Sequence, residues 1–320
     1  MNSVQKASGA RPDLYKLKTR LVKKVIWPLA RFIILFGICF LLVYPLLFMF
    51  TSAFRSREDM WNPSVVWITR HFTLEHIKTL IDVIHYPEAL KNTLLVSVGS
   101  AVLQTLVASL VGYGFARFRF KGREILFLLV IFTIIVPPQA IINTLYMTFR
   151  FFHIPVVSLF AGTFNLLDTP LVFWIQCLFG MGLRGGLFIF IFRQFYRGMP
   201  SDLENAALID GCNPLQTYLR VMLPNAVMVM VTVFMFSLVW HWNDVYSASI
   251  LTPNNRTLSV AISDLRIVVY RLQDGGDNDP IINQVRVQAG TLLSILPMLI
   301  LFLFTQKTFT ESIERTGLVG

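Results

Sequence analysis

The sequence predicts an all-α integral membrane protein with about six transmembrane helices, each needing roughly 20 apolar residues to cross a bilayer. Two observations carry this. Long apolar runs recur along the chain without the short alternating segments of a membrane barrel. Lys and Arg gather in every second connection between those runs, as they do on the inner face of a membrane. Composition agrees: 55% of residues are hydrophobic and 14% charged, whereas soluble domains carry about a quarter charged residues.

The runs follow in order. Residues 1–30 form a basic N-terminal segment, and 31–320 form a transmembrane domain with a polar loop at 200–224. Crossings are expected at 31–53, 93–115, 125–147, 225–247 and 289–306. A sixth is expected at 174–195, where Arg184-Gly185-Gly186 interrupts the apolar length, with 154–172 as an external amphipathic or re-entrant piece. Pro137-Pro138 falls midway in the third run, as a hinge or as a kink satisfied by neighbouring helices.

Charge sets the orientation. The N-terminal segment holds Lys16, Lys18, Arg20, Lys23 and Lys24. The second-to-third connection holds Arg117, Arg119, Lys121 and Arg123, and the fourth-to-fifth holds Arg193, Arg197 and Arg220. The intervening loops mix signs, with Arg55, Arg57, Glu58 and Asp59 in one and Arg271, Asp274, Asp277 and Asp279 in another. Six crossings therefore leave both termini cytoplasmic. The net charge of +10 is explained by this topology, and nucleic acid is not expected as a partner. The basic stretch Arg11–Lys24 precedes an apolar run too long for a signal peptide. Cys39, Cys177 and Cys212 have neither zinc-ligand nor redox-pair spacing.

The polar element Pro200–Pro224 reads as helix, glycine, helix. Ser201 and Glu204 have capping-box spacing. Gly211 follows as a left-handed stop. Asn213, Pro214 and Gln216 restart a helix as cap, first-turn proline and third-position amide. Leu215, Tyr218, Leu219 and Met222 then make an apolar stripe, and Pro224 opens the fifth crossing. Ala206 and Ala207 allow another backbone to approach. Such an element is either a docking surface or a hairpin lying on the headgroups.

This stretch resembles the cytoplasmic signature loop of inner-membrane permease subunits of binding-protein-dependent ABC importers, E-A-A-x3-G-x9-I-x-L-P. Here it reads Asn205-Ala206-Ala207, three residues, Gly211, nine residues, then Val221-Met222-Leu223-Pro224. Asn205 stands where the family has Glu, beside Glu204, and Val221 where it has Ile. Gly112–Phe118, Val136–Gln139, Arg193–Phe195, Trp242–Asp244 and the tail Lys307–Gly320 are similar to the carbohydrate, maltose-transporter-like branch. The likeness spans most of 90–320.

The resemblance implies a type I permease fold whose loop is a coupling helix seated in a groove of a cytoplasmic ATPase. Glu204, Asn205, Ala206, Ala207, Asp210 and Gly211 would mediate coupling, Leu215 and Tyr218 would seat the second helix, and Leu223-Pro224 would close the element. It implies a homologous permease partner forming a heterodimer, two ATP-binding subunits, an external solute-binding protein and a carbohydrate substrate, in a bacterial or archaeal cytoplasmic membrane. ATP and Mg would sit on the partner ATPase, leaving no cofactor in this chain.

The missing motifs are consistent with a transport subunit. Gly-Lys never occurs, so no P-loop can form. No H-E-x-x-H or G-x-S-x-G appears, and the five histidines are scattered. His241 between Trp240 and Trp242 is expected to anchor at a membrane face. Arg184 either contacts the translocation path or marks the outer edge of a shorter crossing. Asn92, Gln104 and Asn143 supply polar groups for a substrate path, although such residues also glue helices together. Alternatives are an importer of a non-sugar solute, a membrane-embedded enzyme and an ion-coupled secondary carrier. The last would need acids within the crossings, which hold almost none.

Overall fold

In a computed structural model the described residues are 22–62, 64–65, 67–153, 162–271 and 279–317. Lys16, Lys18, Arg20, Asp274, Asp277 and residues 154–161 of the expected external piece lie outside them. Helix dominates, no strand occurs among the described residues, and the pairings Arg55–Phe72 and Phe152–Phe164 are isolated bridges.

The first crossing is α1, Trp27–Ala53. It leans on the last helix and shows apolar side chains to its surroundings along most of its length, as a helix in lipid does. Two short helices follow, α2 (Arg57–Trp61) and α3 (Glu75–Val83). The second crossing, α4 (Tyr86–Arg117), is the axis of the molecule and packs against α3 and four helices described below. At Gly112 a Cβ would come within 2.6 Å of Phe192 Cβ, so only glycine lets α4 meet its neighbour this closely.

The third run is not one continuous helix. It forms α5 (Arg123–Ile135) and α6 (Pro138–Arg150), bent by 101°. A proline forces the residue before it out of the helical region. With two in succession, Val136 and Pro137 are both extended, and Pro138 opens a new helix.

The stretch expected as a crossing at 174–195 is likewise broken, into α7 (Leu171–Leu178) and α8 (Gly185–Gly198). Between them Gly180 and Arg184 take φ of +71° and +58°, and the glycine-rich run turns instead of continuing the helix. Beyond α8 come the loop helices α9 (Asp202–Ile209) and α10 (Pro214–Asn225). The chain then bends by 78° at Ala226 into α11 (Val227–Trp242), so Pro224 ends the loop rather than opening the fifth crossing. The short α12 (Tyr246–Leu251) and α13 (Leu258–Arg271) lead to α14, Pro280–Gly317, which begins well before the expected 289.

Among the described residues three helices are long and apolar enough to cross a membrane alone, and up to five crossings result if each bent pair is one span. The sixth expected segment is the α7–α8 pair, each part shorter than the roughly 20 residues of a full crossing. Around α4 the buried side chains fall into three groups. Leu80, Trp242, Leu258 and Leu265 fill the region shared with α3, α11, α13 and α14. Phe173, Ile142 and Leu251 join α7, α6 and α12. Phe188, Phe192, Tyr196, Tyr218 and Met222 pack α8 and the loop against α4.

Candidate functional site

The polar loop is an ordered knuckle. Helix α9 ends in a Schellman motif: Cys212 N–H donates to Ala207 O at 3.0 Å and Gly211 N–H to Leu208 O at 3.1 Å, with Gly211 at φ +82°. Helix α10 opens with a complete capping box, Gln216 N–H to Asn213 Oδ1 at 2.8 Å and Asn213 N–H to Gln216 Oε1 at 2.9 Å. The capping box expected at Ser201 does not form. Ser201 is already helical and its side chain caps nothing. Glu204 turns the other way, its Oε2 3.3 Å from Arg117 Nε on α4, with both side chains mostly buried.

The loop has a held side and a free side. Ala207, Tyr218 and Met222 are buried against the bundle. Tyr218 donates its hydroxyl to Ser109 Oγ on α4 at 3.0 Å, and Ser109 also meets Tyr196 OH of α8 at 2.8 Å. Arg117 Nη2 donates to Met199 O at 2.7 Å where the loop begins. The expected stripe is therefore split: Tyr218 and Met222 face inward, while Leu215 and Leu219 are exposed. Leu208 and Ile209 join them outside, Ile209 at 86% exposure. Asn205, Ala206, Asp210 and Pro224 are also exposed, and Leu223 is half-buried.

Leu208 and Ile209 were invisible in the signature, which leaves those positions open. Only the alternation of buried Ala207 with exposed neighbours marks them. Arg117 was visible as one charge in a basic connection and as a member of the Gly112–Phe118 motif, with no role attached to it.

Near Arg193 a second tie fixes the same end. Its Nη2 lies 3.1 Å from Glu124 Oε2 at the start of α5, and its guanidinium sits 3.7 Å from the Phe127 ring centroid. The basic connection 118–123 is thus tied to α8.

The breaks in the third and fourth segments leave a cavity of about 300 Å³ between α5, α6, α7, α8 and α11. Its lining is mainly apolar, with Thr133, Gln176, Arg184, His241, Asp244 and Ser247 as polar members. Arg184 is exposed at the start of α8, its guanidinium 5.7 Å from the Trp240 ring centroid. Asp244 Oδ1 accepts from Ser247 N–H at 3.0 Å, while Oδ2 is buried without a hydrogen-bond partner among the described residues. His241 is not an interfacial anchor. It is buried in this wall, with Nδ1 2.8 Å from Ser237 O.

The other path candidates separate. Gln104 is buried behind the cavity, donating to Leu183 O and accepting from Ser237 Oγ, both at 2.7 Å. Asn92 donates to Arg256 O at 3.4 Å, and Asn143 is exposed on α6; neither lines the cavity.

At the other end the segment between α1 and α3 is built around Asp59. Its Oδ2 accepts Arg70 and His71 N–H, both at 2.7 Å, and these bonds hold its carboxyl below the ordinary range. His76 donates from Nε2 to Arg55 O at 3.2 Å, and burial pushes its imidazole below the ordinary value.

The chain is similar to known proteins in sequence and in fold. The chain is 28% identical over 298 residues to the diacetylchitobiose uptake system permease protein DasC of Streptomyces coelicolor, covering 92% of this chain and 97% of that one. It is 27% identical to the arabinooligosaccharides transport system permease protein AraQ of Halalkalibacterium halodurans, covering 88% and 93%. Its fold matches a chain of a bacterial ABC transporter involved in import of the acidic polysaccharide alginate, with TM-score 0.67, 18% identity and coverage of 89% and 96%. Residues 104–307, from the buried Gln104 through the knuckle into α14, match the model of one family, and the chain belongs to it: the inner membrane components of binding-protein-dependent transport systems.

Proposed function

We propose that this chain is one of two related permease subunits of an ATP-driven importer that moves a sugar or oligosaccharide across a bacterial or archaeal cytoplasmic membrane. With the α7–α8 pair as a sixth crossing, both termini and the 200–224 loop lie on the cytoplasmic side. The loop docks in a groove of a separate ATP-binding subunit, two of which serve the permease pair. An external binding protein delivers the solute, and the two subunits expose it alternately to either side. ATP and Mg are held by the ATPase subunits.

One observation carries this reading. A membrane-embedded bundle presents, beyond its basic end, a rigid two-helix knuckle with Leu208, Ile209, Leu215 and Leu219 unburied. An exposed apolar ridge on an otherwise polar element marks a protein contact. Carbohydrate as cargo is supported by the relatives named for diacetylchitobiose and arabinooligosaccharides. The cavity's scattered polar groups on mainly apolar walls suit a neutral solute better than an anion, for which Arg184 is the one cation in its lining.

The test is purification in mild detergent from the native host, followed by identification of the chains that accompany it. Recovery of a P-loop protein and a second multi-span permease is expected. Solute uptake in vesicles that contain this chain without any ATPase would overturn the proposal.

A further inference from the structure

The knuckle has two covalent exits, and neither is a straight rod. At its start, Met199 is extended and Pro200 follows, so α8 does not run into α9. At its end, α10 meets α11 at 78° across Ala226. A bend of that size transmits a push poorly along the chain. The side-chain ties, in contrast, converge mainly on one element, with Tyr218 also meeting Tyr196 of α8. Glu204 and Met199 O are both held by Arg117, and Tyr218 is held by Ser109. Arg117 and Ser109 are both on α4.

Further along α4, Gln104 uses both ends of its amide. Its Nε2 holds Leu183 O in the turn that lines the cavity, and its Oε1 holds Ser237 Oγ on α11. The 13 residues from Gln104 to Arg117 span about 20 Å of continuous helix. One unbroken helix therefore touches the knuckle at one end and the cavity wall at the other. Rigid elements with hydrogen-bonded contacts at both ends are what energetic coupling travels through.

We propose that α4 is the lever of this subunit, with Arg117 and Ser109 as positioning residues that receive the knuckle's movement and Gln104 as the positioning residue that delivers it to the 179–184 turn. The proposal rests on the reading of the 200–224 loop as the ATPase-docking element. Gln104 acts on the cavity through Leu183 and Ser237 and need not touch the solute.

The experiment uses the whole co-purified importer in lipid nanodiscs, with ATP and vanadate as the probe. Met181 is exposed at the cavity turn, and Met181→Cys reports its accessibility through the rate of maleimide labelling. With the lever intact, trapping with ATP and vanadate changes that rate. Glu204→Gln and Arg117→Gln are each expected to reduce the nucleotide-dependent change about fivefold, the effect of one lost charge-assisted contact. The swap Arg117→Glu with Glu204→Arg is expected to restore most of it. Gln104→Leu is expected to remove the change with ATPase subunits still bound, and Ser237→Ala, a milder cut at the same place, to reduce it at least by half.

A change that survives both Gln104→Leu and Ser237→Ala overturns the proposal, as does a swap that restores nothing. Failure of the docking reading looks different: ATPase subunits are then absent from the purified complex, and nucleotide leaves position 181 unaltered even with the lever intact.

Discussion

Arg117 and Glu204 form an ion pair at 3.3 Å in which the side chains are only 14% and 16% exposed, joining the end of α4 to the first turn of α9. The pair places an acid at a helix N-terminus, where the dipole favours it, and a base at a helix C-terminus, where the opposite holds. Both dipoles thus support the same contact.

Arg117→Lys tests the geometry rather than the charge. The guanidinium reaches Met199 O and Glu204 together through separate nitrogens. A lysine offers a single point charge that cannot fork between two acceptors. The variant should lose about 1–2 kcal/mol, read as a lower unfolding midpoint in detergent, and the knuckle should become easier to cleave by protease. An unchanged midpoint and cleavage rate would mean that the ion pair holds nothing in place.

Ile209→Asp separates docking from folding. Ile209 is 86% exposed, so its replacement should change stability by no more than about 0.5 kcal/mol. Burying a new carboxylate in an apolar groove without a partner costs several kcal/mol. Membrane insertion should therefore stay normal while recovery of the ATPase subunit in pull-down falls at least about tenfold, the factor that roughly 1.4 kcal/mol gives. Ala207→Asp is the contrasting variant. Ala207 is buried under the knuckle, so that change should loosen the loop itself.

How much was legible in the sequence depended on whether a residue's partner was near in the chain. Gly211 and the Asn213–Gln216 box are local, and the loop forms them as the spacing indicates. The Ser201 box was equally plausible locally, yet Glu204 is claimed by Arg117, 87 positions earlier. Hydropathy located the apolar runs but not their breaks. Val136-Pro137-Pro138 and the Gly180–Gly186 run turn the chain where averaging over a window sees continuity. His241 shows the same limit: flanking tryptophans indicated an interface, whereas Ser237 and Cys177 enclose the ring.

Gly112 and Gly114 stand two apart in one motif and should respond oppositely to alanine. A Cβ at Gly112 would meet Phe192 Cβ at 2.6 Å and the Arg193 backbone nitrogen at 3.0 Å. Backbone cannot yield as a side-chain tip does, so Gly112→Ala should push α4 and α8 apart at a cost of about 1–3 kcal/mol. Gly114 has nothing within 4 Å of such an atom, and alanine there should gain up to about 1 kcal/mol of helix propensity. Thermal unfolding of the two purified variants decides this. Equal destabilisation by both would show that the close approach at Gly112 is not what the glycine serves.

The segment between α1 and α3 should open in acid in two stages. His76 has its proton affinity lowered by burial, so its folded-state value lies below the ordinary 6.5. The opened form then binds a proton that the closed form refuses, and stability falls as pH drops below about 6.5. Asp59 is depressed below 3.8 by the N–H groups of His71 and Arg70, so its contribution is complete above that value and is lost as pH falls through the folded-state value. Hydrogen exchange at the amides of Arg70, His71 and Thr73, which bond Asp59 and Phe54 O, reads both stages. Protection should decline first below neutrality and again below pH 4. His76→Gln should remove the first decline and keep the second, since an amide can still donate to Arg55 O without titrating. Asp59→Asn should weaken protection at every pH, because a neutral amide oxygen accepts the two N–H groups less strongly than a carboxylate. Flat protection from neutral pH down to 3 in the unaltered protein would show that neither group governs this segment.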